Sequence, residues 1–276
     1  MLTDLTSVAA RARAAGRGLG AFNVVHLEHA ETFVAAAERV RQPVVLQVSQ
    51  NAVRYHGPLA PIGAGVLEVA HAAQVPVVVH LDHAEDTDLV REAVALGFTS
   101  VMYDGARRAF ADNVATTAEV VAHAHAHGVS VEAEIGEVGG KTGPHDPSAR
   151  TDPDEAADFM ALTGVDLLAV AVGSSHAMTH RGARLDTDLI RAIGRAVDVP
   201  LVLHGSSGVA DDEMRRAIEA GMTKINVSTH LNRLFTTRAR EALDADPDVV
   251  DTRRWFRPGN AAIGDEVARL LTLYAG

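Results

Sequence analysis

The chain has 276 residues, 47% of them hydrophobic, a formal net charge of −11 and no cysteine. This length suits a single domain the size of an α/β barrel, which takes about 250 residues. The absence of cysteine excludes disulfides and thiolate metal sites. No apolar run is long enough to span a membrane, and no basic stripe interleaved with aromatics occurs, so neither membrane nor nucleic acid is an expected partner.

An acidic chain can still take an anionic substrate if its pocket is locally positive. Arginine must supply most of that charge, because Lys141 and Lys224 are the only lysines. The opening MLTDLTSVAARARAAGRG lacks a signal-peptide core and reads as a short amphipathic helix, which leads to the expectation of a cytoplasmic protein.

Eight short apolar, β-branched runs follow, over residues 18–25, 43–49, 75–83, 100–105, 129–136, 167–173, 199–205 and 224–229. Between them lie alanine-rich helical stretches such as 28–40, 87–96, 113–127, 152–163 and 211–220. Strand–helix alternation repeated eight times predicts parallel strands with crossover helices, closing into a (β/α)8 TIM barrel. Strands this apolar suit a sheet buried on both faces. Residues 136–151, rich in Gly, Pro, Asp and His, read as a loop after the fifth strand, and 251–276 as a loop and a terminal helix. No linker divides the chain, so 1–276 is expected to form one domain with a short C-terminal helical extension.

Barrels of this kind carry their chemistry at the C-terminal ends of the strands. Polar residues gather there: Asn23, Ser49, Asp82 and His83, Asp104, Glu132 and Glu134, His176, His204, then Asn226, Ser228 and Thr229. Three imidazoles from separate strands, His83, His176 and His204, suit an open zinc site. His80, inside its strand, reads as a core histidine. His123, His125 and His127 crowd a helix end and read as solvated, while His26, His29, His56, His71 and His230 show no obvious partner in the sequence. The segment HGSSG (204–208) precedes the helix from Asp211, and small residues before a helix N-terminus favour an anion. Ser206 and Ser207, with residues 226–229, are candidates for a phosphate site, although a simple helix cap explains Ser206 and Ser207 equally well.

Six motifs, in order, carry a resemblance: AFNV (21–24), HLDH (80–83), VEAEIGEVGG (131–140), AVAVGSSH (169–176), LVLHGSSG (201–208) and TKINVST (223–229). Together they resemble the class II fructose/tagatose-bisphosphate aldolase family. The resemblance implies a zinc-dependent lyase that reversibly cleaves a ketose 1,6-bisphosphate, with fructose 1,6-bisphosphate the first choice. The products would be dihydroxyacetone phosphate and glyceraldehyde 3-phosphate. It implies His83, His176 and His204 as zinc ligands and Glu134 as a carboxylate that can hold the metal in a second position. Asp82 becomes the acid/base for the C4 hydroxyl. Gly205, Ser207, Asn226 and Thr229 surround the ketose end and its phosphate, beside a monovalent cation such as Na+ or K+. Assembly as a homodimer or homotetramer is expected.

The chain also departs from the family pattern. The loop that usually reads Gly-Gly-x-Glu-Asp here reads Gly139-Gly140-Lys141-Thr142-Gly143, without either acid. Asp146 is the favoured substitute for the missing proton carrier, with His145 and Glu137 as alternatives. After His176 the residues are Ala177-Met178-Thr179-His180, so a phosphate would meet His180 or Arg181 in place of a lysine. Ser228 stands where many members have Asp or Asn, and Arg257 matches an arginine that in some members reaches the second phosphate from a neighbouring subunit. Three other readings remain open: an aldolase for tagatose bisphosphate or another sugar phosphate, a non-catalytic sugar-phosphate-binding barrel, and a lysine-dependent aldolase. The last needs an amine deep in the pocket, whereas Lys224 is expected at the start of its strand and Lys141 on a loop.

Overall fold

The structure, a computed structural model, describes residues 1–136, 149–176, 178 and 180–276. Eight parallel strands close into a barrel in sequence order, as the alternation predicts. They are β1 (Leu19–Asn23), β2 (Val44–Ser49), β3 (Val77–Ala84), β4 (Ser100–Tyr103), β5 (Ser130–Ile135), β6 (Leu167–Val170), β7 (Leu201–Leu203) and β8 (Met222–Val227). The outer helices are α2 (Leu27–Val40), α3 (Gln50–His56), α4 (Leu59–Ala72), α5 (Thr87–Leu96), α6 (Phe110–His125), α7 (Pro153–Thr163), α8 (Thr187–Ala196), α9 (Asp211–Ala220) and α10 (Thr229–Ala245). The chain opens with α1 (Leu5–Ala14) and ends with α11 (Thr252–Ala275).

Strand side chains alternate between the helix side and the barrel interior. Phe22, Leu46, Val79 and Leu81 pack outward into the large apolar layer under the helices. The inward set is graded along the barrel axis. Leu19, Ala21, Val45, Val78, Leu167, Ala169 and Val202 form an apolar floor, which α1 closes from below with Leu5, Val8 and Ala9. Above it the inward residues become polar: Gln47, His80, Ser100, Glu132 and Lys224, all with no solvent exposure. The next inward positions on these strands include Asn23, Asp82, Glu134 and Asn226, and the alternation thereby delivers the polar set to the C-terminal mouth.

Two boundaries differ from the sequence expectation. β8 starts at Met222, directly after Gly221 ends α9 at φ 122°, so Lys224 lies inside the strand and not at its start. Residues 252–275 form one helix that runs through Pro258. Proline there forfeits one intrahelical hydrogen bond, and the packing of α11 along α10 and α2 offsets the loss.

Candidate active site

A cavity of about 410 Å³ opens at the C-terminal mouth of the barrel. Its lining includes Asn23, Ser49, Asp82, His83, His176 and His204, and, on the far side, Gly205, Ser206, Ser207, Asn226, Ser228 and Thr229. Each of these is a residue singled out above.

At the centre stand three imidazoles. Ring centroids are 4.4 Å apart for His83 and His204, 5.2 Å for His83 and His176, and 5.6 Å for His176 and His204. One ligand atom from each, with one oxygen of Glu134, lies within 4.8 Å of all the others. Three neutral nitrogens and a carboxylate make a donor set that fits zinc, with room for a substrate oxygen. The backbone is bent to achieve this. His83 has φ 50°, the left-handed region that non-glycine residues seldom enter, and the β3–β4 register shifts between Leu81 and Ala84. A bulge of this kind re-aims a side chain at a strand end. Ser174 holds the β6 loop to β7, donating from Oγ to the His204 carbonyl at 2.6 Å.

Asp82 is buried beside this cluster, its Oδ1 3.9 Å from His83 Nε2. Its Oδ2 accepts from Asn23 Nδ2 at 2.8 Å, while Oδ1 has no hydrogen-bond partner among the described residues. Burial opposes ionisation, but the His83, His204 and Lys224 charges and the Asn23 hydrogen bond outweigh it and hold the carboxyl below the usual range. The result is a buried carboxyl, held below its usual range, with one oxygen unpartnered among the described residues at a cavity wall.

The opposite wall is built from small residues. Gly205 has φ 68°, and a Cβ there would lie 2.6 Å from the Ser175 backbone, so only glycine lets the chain pass. Ser206 Oγ donates to the Asn226 carbonyl, and Ser207 Oγ accepts from the His230 amide at 3.1 Å. These bonds tie the 206–208 turn to the end of β8 and the start of α10. The helix N-terminus at the pocket is therefore that of α10, through Ser228 and Thr229, and not that of α9 as the order of the sequence suggests. The first turn of α9 carries Asp211, Asp212 and Glu213, and Asp211 is engaged by Arg181 and Arg269. That end would repel an anion.

Among the other candidates, His180 and Arg257 are both exposed and stand outside the cavity lining. Arg181 points to the Val209 carbonyl and Asp211. Asp146, His145, Glu137, Lys141 and Thr142 lie outside the described residues. His80 is a core histidine, as expected, with Nδ1 2.8 Å from Ser100 Oγ. His230 and His56, which show no partner in the sequence, meet Glu266 and the Val25 carbonyl, both at 2.8 and 2.7 Å respectively. Lys224 Nζ is fully buried, donating to Gln47 and Asn226 and ion-paired with Glu132, and is not among the cavity's lining residues.

Sequence reasoning passed over two arginines. Arg54, on α3, and Arg107, three residues beyond Asp104, line the cavity on its β2–β4 side together with Glu85. Their signal was positional: each follows closely on a strand end that had already been identified as functional.

Comparison with known proteins agrees with this geometry. The family model described as fructose-bisphosphate aldolase class-II matches residues 3–275. A fructose-bisphosphate aldolase of Geobacillus stearothermophilus is 40% identical over 250 residues, covering 89% of this chain and 87% of its own. One from Thermus caldophilus is 36% identical over 301 aligned positions, covering 99% and 98%. The crystal structure of the YdjI aldolase from Escherichia coli K12 superposes with a TM-score of 0.87 at 30% identity, over 99% of this chain and 97% of that one. A match running from the first strand to the last helix, in sequence and in fold, settles the relationship: this chain belongs to the class II fructose-bisphosphate aldolase family.

Proposed function

We propose that the chain is a zinc-dependent aldolase that reversibly cleaves a ketose 1,6-bisphosphate, fructose 1,6-bisphosphate in the first instance, into dihydroxyacetone phosphate and glyceraldehyde 3-phosphate. The observation that carries this reading is the buried Asp82 carboxyl seated beside a three-imidazole donor set in one cavity. His83, His176 and His204 would hold the zinc, with Glu134 as a further ligand. Zinc held there supplies a Lewis acid that polarises the ketose carbonyl and stabilises the charge that develops when C3–C4 breaks.

The chain's own groups do the rest. Asp82 Oδ1 takes the proton of the C4 hydroxyl, while Asn23 keeps the carboxylate turned towards it. The phosphate on the ketose end sits against Gly205, Ser206 and Ser207 and the N-terminus of α10 at Ser228 and Thr229, where backbone N–H groups and the helix dipole favour an anion. The second phosphate meets Ser49, Arg54 and Arg107 across the cavity. Asp146 is proposed to move the proton at C3 of dihydroxyacetone phosphate; deuterium exchange at that carbon, present in the wild type and absent in Asp146→Asn, isolates this step from cleavage. A monovalent cation near the first phosphate, a homodimeric or homotetrameric assembly and a cytoplasmic location are proposed from the family resemblance. In the structure, no helix among the described residues is long and apolar enough to cross a membrane.

The test is a cleavage assay on fructose and tagatose 1,6-bisphosphates before and after exhaustive chelation. Cleavage that chelation abolishes and zinc restores supports the reading. Preference for tagatose bisphosphate moves the substrate to the C4 epimer, and inertness towards both overturns the reading.

A further inference from the structure

The inward layer directly beneath the cavity floor contains a charged pair that takes no direct part in the chemistry above. Lys224 and Glu132 are both fully buried, with Nζ 2.8 Å from Glu132 Oε2. Barrels of this class fill such layers with branched apolar residues. A buried ion pair contributes little stability over an apolar pair of the same volume. Closing the barrel therefore does not require these charges.

The hydrogen bonds around the pair lead upward to both halves of the site. Lys224 Nζ donates to Gln47 Oε1 at 2.6 Å and to Asn226 Oδ1 at 2.9 Å. An ammonium only donates, so Gln47 must turn its carbonyl oxygen to it and its amide NH2 away. That NH2 donates to Asn23 Oδ1 at 3.2 Å, which in turn directs Asn23 Nδ2 to Asp82 Oδ2 at 2.8 Å. Each amide in the chain has one permitted orientation, and Lys224 sets the first. The other branch runs through Glu132, whose Oε1 lies 3.0 Å from His204 Nε2. A carboxylate only accepts, so Nε2 carries the hydrogen and Nδ1 presents its lone pair to the ligand cluster. With the hydrogen on Nε2 directed to Glu132, Asn226 Nδ2, itself a donor 3.3 Å away, makes no hydrogen bond to that nitrogen; the shorter, charge-assisted Glu132 contact decides the tautomer.

We propose that Lys224 is a positioning residue that couples the two halves of the site: through Gln47 and Asn23 it orients the Asp82 proton acceptor, and through Glu132 it fixes the tautomer and direction of His204. The inference rests on the zinc-aldolase reading. It also gives the second lysine of the chain a role that needs no nucleophilic amine.

The decisive variant removes both charges at once, Lys224→Met with Glu132→Leu, so that neither is left buried alone. A positioning role predicts a thermal midpoint equal to or above that of the wild type. It also predicts zinc affinity, read by chelator competition, weakened about 10-fold or more, and turnover lowered by a similar factor. A purely structural role predicts the reverse, a lowered midpoint with zinc affinity and turnover of the folded protein unchanged, and that result overturns the proposal. If the double variant does not fold, Gln47→Met severs the Asp82 branch alone. It should lower turnover about 10-fold with zinc affinity within about 2-fold of the wild type, and normal turnover there overturns the proposal. A wild-type protein that binds no zinc or cleaves no bisphosphate defeats the underlying reading instead, so the two failures are distinct.

Discussion

His83 Nε2 and His204 Nδ1 face each other across 2.7 Å, and on its far side each ring is turned by a carboxylate. Asp104 Oδ2 lies 2.9 Å from His83 Nδ1, and Glu132 Oε1 3.0 Å from His204 Nε2. Both outer nitrogens therefore donate to their carboxylates, and the two inner nitrogens face each other at hydrogen-bond distance. A cation held by both inner nitrogens would take the place of a shared proton. Replacing Asp104 by alanine should free the His83 ring to rotate and weaken zinc binding about 10- to 100-fold, the usual effect of losing such a carboxylate. Competition with a fluorescent zinc chelator measures this, and unchanged affinity would show that packing alone holds the ring.

Asp82→Asn keeps the shape of the side chain and removes its ability to accept a proton. Zinc content and substrate KM should stay near those of the wild type while turnover falls by at least about 10²-fold, a typical general-base contribution. Near-normal turnover would reassign the C4 proton to another group. Direct zinc titration alongside steady-state kinetics separates the two quantities.

Arg54 and Arg107 are the cationic side chains of the cavity wall among the described residues, histidines aside. If they meet the second phosphate, Arg54→Met and Arg107→Met should each lower kcat/KM for condensation with glyceraldehyde 3-phosphate about 10-fold or more, the loss of a charge-assisted hydrogen bond of about 1.5–3 kcal/mol. Condensation with uncharged glyceraldehyde should hardly change. Equal losses on both aldehydes would mean that the arginines shape the pocket and do not read the charge.

How much of this was legible in the sequence follows from what each residue type can betray. The eight strands showed because β-branched runs repeat at a barrel's spacing, and His83, His176 and His204 showed because histidine at three strand ends is unusual. The Lys224–Glu132 pair was hidden. Lys224 read as a strand start, since the two residues before it, Met222 and Thr223, gave no sign that β8 had already begun. Only closure of the barrel brings Gln47 of β2, Glu132 of β5 and Lys224 of β8 together. Arg54 and Arg107 were passed over because an arginine in a loop has the same local sequence whether it faces solvent or a cavity. The partner of HGSSG was hidden by the order of the chain: the segment precedes α9, but the Ser207–His230 bond joins it to α10.

Away from the site, His29 on α2 is buried among the aromatic rings of Phe33, Phe235 and Phe256. Burial, and to a lesser extent His26, lowers its pKa from 6.5 to about 4. Between these values the unfolded chain binds a proton that the folded chain refuses. His29 therefore withdraws stability as pH falls from about 6.5 to about 4 and withdraws no more below that. The total is about 2 kcal/mol after allowance for incomplete burial. His29→Phe should flatten this part of the stability profile in urea melts taken across the window. A variant whose profile parallels the wild type throughout would remove His29 as the cause.

The central claim is that His83, His176 and His204 gather one zinc on which cleavage depends. Elemental analysis of freshly purified wild type and His204→Ala, paired with a fructose bisphosphate cleavage assay and circular dichroism on the same samples, tests it most directly. The account predicts about one zinc per chain and cleavage in the wild type, with both lost in a His204→Ala variant that keeps its barrel spectrum. A wild type that is active without metal, or a His204→Ala variant that retains both zinc and activity, would contradict it.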